Sequence, residues 1–214
     1  MQREPGFVHD LVELLLGYGL IVGVIWMPES AQRFCSPIVL IVTLAVVLAP
    51  RHGRDELGAG FRGLVSSLWI LPAAAGLALV SAAVAKHFGT LHPLYKGDLK
   101  HVAGYVLWTL YQQFLLNDYF MPRLGRILGN SSLAVAMAGI LFAAAHLPNL
   151  VLTVTTLVWG MVSCALFLRY RNLYMLGLAQ GLLGLCIAVC VPDALHHHLC
   201  VGLGYLRYGA AVGK

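Results

Sequence analysis

The chain has 214 residues, 59% of them hydrophobic and 11% charged, with a formal net charge of +5. Apolar content this far above the soluble norm of roughly 45–50% excludes a water-soluble domain. Lys and Arg are scattered through short polar segments without a basic aromatic stripe, which argues against a nucleic-acid partner. No segment shows the strict alternation over about ten residues that a membrane barrel needs. At about 20 apolar residues per crossing, the sequence predicts a single membrane-embedded domain over 1–214: all-α, a polytopic membrane helical bundle of about seven transmembrane helices.

The first span is expected from Phe7 to Met27, with Asp10 and Glu13 near its start. It lacks a small-residue cleavage signal and reads as a span, not a removable leader. The second, Ser36 to Leu48, is short and stops before Pro50. Arg51 to Arg62 carries both signs of charge and three glycines and reads as a loop. The third runs from Gly63 to Ala85, followed by a loop containing His92, Lys96 and Lys100. The fourth, Val102 to Met121, differs from the rest because Gln112, Gln113, Asn117 and Asp118 lie at membrane depth, where polar groups need partners. Pro122, Arg123 and Arg126 are expected to close it.

Gly129-Asn130-Ser131-Ser132 forms a turn and cap before the fifth span, Leu133 to Ala145, which ends in His146-Leu147-Pro148-Asn149. The sixth covers Leu150 to Leu168 and stops at Arg169-Tyr170-Arg171-Asn172. The seventh, Leu173 to Val191, contains Gln180. In the tail, adjacent His196, His197 and His198 splay apart on any regular element, so they read as a solvated interfacial cluster and not a metal site. The Tyr205 to Tyr208 stretch suits a membrane interface. Lys and Arg are more frequent on the N-terminal side of the predicted crossings, which places the N-terminus in the cytoplasm. Cys35, Cys164, Cys186, Cys190 and Cys200 form no C-x-x-C pair and read as small buried residues. Neither a metal nor another cofactor is expected.

Gln113 and Asn117 are four apart and share a helical face, with Gln112 on its shoulder. One reading is structural: amides hydrogen bond to neighbouring helices and hold a bundle together. Asp118 reads as a carboxylate near the headgroup boundary. His146 closes an apolar run and is followed by Pro148 and Asn149, which aims a ring and an amide from a helix end.

Phe142-Ala143-Ala144-Ala145-His146 resembles the F-x-x-x-H second motif of the CAAX-protease and bacteriocin-processing family of intramembrane proteases. That family's first motif is E-E-x-x-x-R and its third H-x-x-x-N. Gln112-Gln113-Phe114-Leu115-Leu116-Asn117 stands in the place of the first, and Gln180-Gly181-Leu182-Leu183-Gly184 in that of the third. The resemblance covers about 102–191. It implies a multi-pass protein of a prokaryotic cell membrane and an endopeptidase acting on a membrane protein or lipid-anchored peptide. In that chemistry a glutamate and the second-motif histidine activate water, while the third-motif side chains stabilise an oxyanion.

Only His146 keeps the family's side chain. Gln112 and Gln113 replace glutamates, Asn117 an arginine, Gln180 a histidine and Gly184 an asparagine. An amide cannot accept water's proton near neutral pH, so His146 is the expected base, with Asn149 or Asp118 supporting it and Gln180 offering an N–H. Losing both signs of charge together avoids a buried unpaired ion. At about 1.5 Å per residue, Gln113 and Gln180 lie roughly 18 and 20 Å from one face and His146 roughly 8 Å, so straight helices leave His146 apart. The sequence therefore carries two main expectations, a divergent protease or a non-catalytic relative binding such a partner. Transport lacks the paired broken helices it would need.

Overall fold

A computed structural model describes residues 5–48, 57–61, 63–95 and 97–212. Among these the elements are all helical: α1 Pro5–Ile25, α2 Glu29–Leu48, α3 Leu64–Ser67, α4 Ile70–His87, α5 Leu99–Phe114, a π-helical turn Leu115–Phe120, α6 Met121–Leu128, α7 Ser131–Ala144, α8 Leu150–Tyr170, α9 Leu173–Cys190, α10 Asp193–His196, a 3₁₀ turn His197–Leu199 and α11 Gly202–Val212. Five described stretches are long and apolar enough to cross a membrane: 6–25, 29–47, 64–87, 150–170 and 173–190. The chain is thus a helical membrane protein. The expected fourth and fifth spans do not meet that measure, because α5 is interrupted by the π turn after 16 residues and α7 has only 14.

Two boundaries differ from expectation. The second helix starts at Glu29, not Ser36, and continues through Pro37; its polar first turn is helped by a Glu29–Arg33 ion pair of 2.7 Å at the favourable i,i+4 spacing. The fourth helix does not stop at Met121. Pro122 falls in the first turn of α6, where a helix tolerates the missing N–H, and the π turn carries the chain from α5 into it. Arg51, Arg54 and Lys96 lie outside the described residues.

Small residues set the helix spacing. Gly139 of α7 and Gly160 of α8 face each other, a Cβ on Gly160 falling 3.2 Å from the Gly139 Cα. On α9, a Cβ at Gly177 would sit 2.9 Å from the Leu110 Cα, and one at Gly181 3.2 Å from the Thr109 hydroxyl. Close backbone approach of this kind drives association where lipid removes the hydrophobic gain. Thr109 adds a 2.9 Å hydrogen bond to the Gly177 carbonyl. α5 and α9 are therefore clamped together just where the amide-bearing positions of both helices fall.

The 57–61 segment straps one end of the bundle. Its Gly58 carbonyl accepts from the Leu173 N–H at 3.0 Å and its Ala59 carbonyl from the Tyr174 hydroxyl at 2.7 Å. At the far side of the chain, α1 is fastened to α6 by Glu13 and Asp10, which pair with Arg123 and Arg126.

Candidate functional site

Gln113 and Asn117 are fully buried, and Gln180 is 8% exposed. Their amides form one directed chain. Asn117 Nδ2 donates to Gln113 Oε1 at 2.7 Å, Gln113 Nε2 donates to Gln180 Oε1 at 2.5 Å, and Gln180 Nε2 donates to Gln112 Oε1. Trp159 Nε1 also donates to Gln180 Oε1, at 3.2 Å. The glycine-mediated contact of α5 with α9 brings these four amides together, as their matching depths along the two helices allow. Each link points the same way, so polarisation accumulates along the chain. It begins at the orphan Oδ1 of Asn117, and it ends at the Gln112 amide, whose N–H groups donate to no atom of the described residues and which lines a cavity.

That cavity has a volume of about 1140 Å³ and is walled by α1, α2, α4, α5, the π turn, α7, α8 and α9. Its lining is almost wholly apolar, including Tyr18, Leu77, Trp108, Val158 and Ile187, and carries no charged side chain among the described residues. Its polar lining includes Gln112, Gln180, Trp159, Tyr105 and His146. Gln113 and Asn117 stand behind it, outside the lining. A volume of this size suits a drug-sized or lipid-sized ligand held mainly by apolar contact and oriented by a few polar groups.

His146 stands one residue beyond the last turn of α7 and is 8% exposed. Its Nδ1 lies 2.7 Å from the Phe142 carbonyl, and since a carbonyl only accepts, Nδ1 carries the proton. The opposite nitrogen, Nε2, is left with its lone pair, and no donor among the described residues engages it. Phe142 also holds the ring edge-to-face at a centroid distance of 4.9 Å. The pairing explains why Phe and His occur at this spacing: one residue supplies both the ring contact and the carbonyl that sets the tautomer. His146 makes no hydrogen bond to the amide chain, but it lines the same cavity as Gln112 and Gln180.

Tyr105 is a site residue that sequence reading passed over. A Cβ placed on Gly184 would fall 2.0 Å from the Tyr105 hydroxyl, so that hydroxyl fills the room in which a side chain at position 184 would begin. Tyr105 lines the cavity, and its hydroxyl has no hydrogen-bond partner among the described residues. The only sequence signal was negative: a glycine where the resembling family has an asparagine.

Two of the expected supporting residues lie elsewhere. Asn149 is fully buried but caps α8, its Oδ1 accepting from the Leu152 N–H at 3.1 Å, while Nδ2 donates to the His196 and Cys200 carbonyls at 2.8 and 2.9 Å. Its side-chain polar atoms are taken up by the α8 cap and the tail and make no hydrogen bond to the His146 ring, although its backbone N–H donates to the His146 carbonyl at 3.1 Å. Asp118 is 4% exposed, accepts from the Gly58 N–H at 3.1 Å and has an unpartnered Oδ2. It faces the strap and does not line the cavity. The three tail histidines are also not a solvated cluster, since His196 is 1% exposed and His197 and His198 stack on Tyr205 and Tyr95.

A family model described as type II CAAX prenyl endopeptidase Rce1-like matches residues 36–186, more than half of the chain. The match begins in α2, well before Val102, and it spans the amide chain, Tyr105 and His146. No curated protein and no solved structure matches the chain.

Proposed function

The chain belongs to the type II CAAX prenyl endopeptidase Rce1-like family, and from that premise we propose that it is a divergent intramembrane endopeptidase in which His146 alone activates the water. Its substrate is a peptide carrying a lipid anchor, whose apolar chain occupies the cavity and whose scissile carbonyl lies between His146 and Gln112. The observation that carries this reading is the pairing of a free imidazole lone pair with free N–H and O–H donors in one apolar cavity.

Each role follows from the atoms available. His146 Nε2 takes a proton from water while the hydroxide adds to the carbonyl carbon. The resulting imidazolium returns that proton to the departing amine, and no proton is gained or lost overall. The developing oxyanion accepts from the Gln112 amide, strengthened by the aligned chain behind it, and from the Tyr105 hydroxyl. Gln180 gives one N–H to Gln112 and so acts through it, and its second amide hydrogen is the N–H expected of it. Tyr105 takes the part that Gly184 cannot play.

A second reading, a non-catalytic relative that retains such a peptide without cutting it, is favoured by one observation: among the described residues no carboxylate lines the cavity to stabilise an imidazolium. The deciding experiment uses the full-length protein in proteoliposomes with a farnesylated peptide ending in a CAAX sequence. Cleavage and binding are read separately. Endopeptidase action requires turnover that falls by about 100-fold or more in His146→Ala and by about tenfold in Tyr105→Phe, with binding retained. Binding without turnover in the unaltered protein would establish the second reading instead.

A further inference from the structure

Among the described residues, Trp159 is the one side chain outside the four amides that hydrogen bonds to their chain. Its indole Nε1–H donates to Gln180 Oε1 at 3.2 Å, the same oxygen that accepts from Gln113 Nε2 at 2.5 Å. Packing aims the indole there. Gly160, the next residue of α8, lies against α7, where its Cβ would fall 3.2 Å from the Gly139 Cα. One step along a helix is a rotation of about 100°, which brings Trp159 round to the α9 side. The indole packs there against the cluster that contains Phe167, Leu173, Leu176 and Ala179, the last of these next to Gln180.

A primary amide can be turned end for end, exchanging an acceptor for a pair of donors in nearly the same space. The four amides could therefore run in either direction, provided that all of them turn together. As the chain stands, its donors point toward the cavity; in reverse, the Gln112 oxygen would face the cavity instead. The Asn117 end does not choose between the two. It leaves a buried oxygen without a donor as it stands and would leave a buried NH2 without an acceptor in reverse.

The Trp159 contact does choose. An indole has one donor and no acceptor, so the atom of Gln180 that faces it must be the oxygen. Reversal would set the Gln180 NH2 against the indole N–H, two donors face to face in an apolar setting. With Gln180 fixed, Gln113 must donate to its oxygen and Gln112 must accept from its NH2. The Gln112 NH2 is then the group left for the cavity.

We propose that Trp159 positions the amide chain and thereby sets the specificity of the cavity: its single N–H locks the direction in which Gln112 presents donors, so the cavity takes a neutral carbonyl and refuses a group that can only donate. The inference rests on the reading above for which carbonyl is bound, the scissile one, while the selectivity itself holds whether the peptide is cut or only retained. Trp159 lines the cavity, but its one N–H is spent on Gln180 and it acts through that residue. A donor-only ligand reaches a Gln112 acceptor only after all four amides have turned, and its affinity is reduced by the small fraction of chains in that state.

The test is the binding of two neutral probes to the full-length protein in lipid nanodiscs: farnesylacetone, whose ketone only accepts, and a farnesylpyrrole, whose N–H only donates. Each affinity is taken relative to that of the hydrocarbon farnesene, which cancels changes in the room left by an altered side chain. Both proteins compared carry Tyr105→Phe and His146→Ala, so that neither the phenol oxygen nor the imidazole lone pair takes the pyrrole N–H. Trp159→Phe keeps an aromatic ring and removes the donor. It should tighten pyrrole binding by about tenfold, because the chain is then free to turn, and weaken ketone binding by about twofold at most, because the ketone still selects the direction it needs. Unchanged pyrrole binding would show that the indole does not lock the chain, and a tenfold loss of ketone binding would show that Trp159 meets the ligand directly; either overturns the proposal.

A second measurement needs no substitution and decides the matter if Trp159→Phe does not fold. In the unaltered chain the Trp159 indole proton should resonate as a hydrogen-bonded proton and keep its position when farnesylacetone is added. A free indole proton, or one that shifts with the ketone and not with farnesene, overturns the proposal. Neither readout depends on cleavage, so a protein that passes both and cuts no peptide would reject the endopeptidase and leave this specificity in place.

Discussion

Two side chains on one continuous helical rod, Gln113 and Arg123, are both fully buried and solve that problem in opposite ways. Arg123 gives Nε and Nη2 to Glu13 Oε2 at 2.8 and 2.6 Å, gives Nη1 to the Tyr119 carbonyl at 2.6 Å, and lies over the Tyr119 ring. Its charge is fully spent on fastening α1. Gln113 joins a chain of neutral amides whose last member keeps free donors at a cavity. Charge is used away from the cavity, and neutral dipoles are used at its edge. An apolar cavity bordered by an unpaired charge would fill with water or ions; one bordered by aligned amides can stay apolar and still orient a carbonyl.

Several measurements would break or sharpen that contrast. The largest effect belongs to the ion pair: Glu13→Ala leaves Arg123 buried and uncompensated and should cost about 3–5 kcal/mol in reversible unfolding in detergent. Arg123→Met combined with Glu13→Ala should recover most of that loss. Full recovery would show that the charge matters only as a pair, whereas none would mean that Arg123 has a role beyond α1.

Next, Gln113→Glu places a carboxylate among amides and should destabilise by about 3 kcal/mol near neutral pH. Adding Asn117→Arg rebuilds the charge pattern of the family's first motif and should recover at least half. Independent, additive losses would show that these two positions do not face each other as a pair. Gly184→Ala drives a methyl group into the Tyr105 hydroxyl and should cost about 2 kcal/mol, relieved by Tyr105→Ala; an unchanged Gly184→Ala would remove the case for Tyr105 standing in the third-motif space. The smallest effect is expected from Arg126→Ala, whose partner Asp10 is paired at 2.7 Å with a 44% exposed Arg126 side chain. It should stay within about 1 kcal/mol, and a larger loss would make the α1 dock more electrostatic than the Glu13 pair alone.

Much of the candidate site was legible before the fold. Gln112, Gln113, Asn117 and Gln180 were readable as a set because polar amides in apolar helices need partners, and they found one another. His146 was readable from the phenylalanine four residues before it. Tyr105 was not, since a tyrosine near the start of an apolar helix carries no sign of the glycine it will meet 79 residues later in the chain. Asn149 and Asp118 were misplaced for a related reason: an amide or carboxylate next to a site in sequence can turn to a backbone cap or to a strap.

Sequence alone determined that the chain is an all-helical membrane protein, because hydropathy and the need to satisfy backbone polar groups leave no other spanning fold for this composition. It also determined the order of the motif positions and the identity of the one basic side chain among them. Only the tertiary structure decided which helices touch and which polar groups are free. It decided that the fourth helix runs on through Pro122, that α5 and α9 close on glycines, that Asn149 is spent on the tail, and that the tail histidines pack on tyrosines. The physical reason is the same throughout. Local pattern sets whether a segment is helical and apolar, but the hydrogen-bond partner of a buried side chain is supplied by a distant segment, and that assignment exists only once the helices are packed.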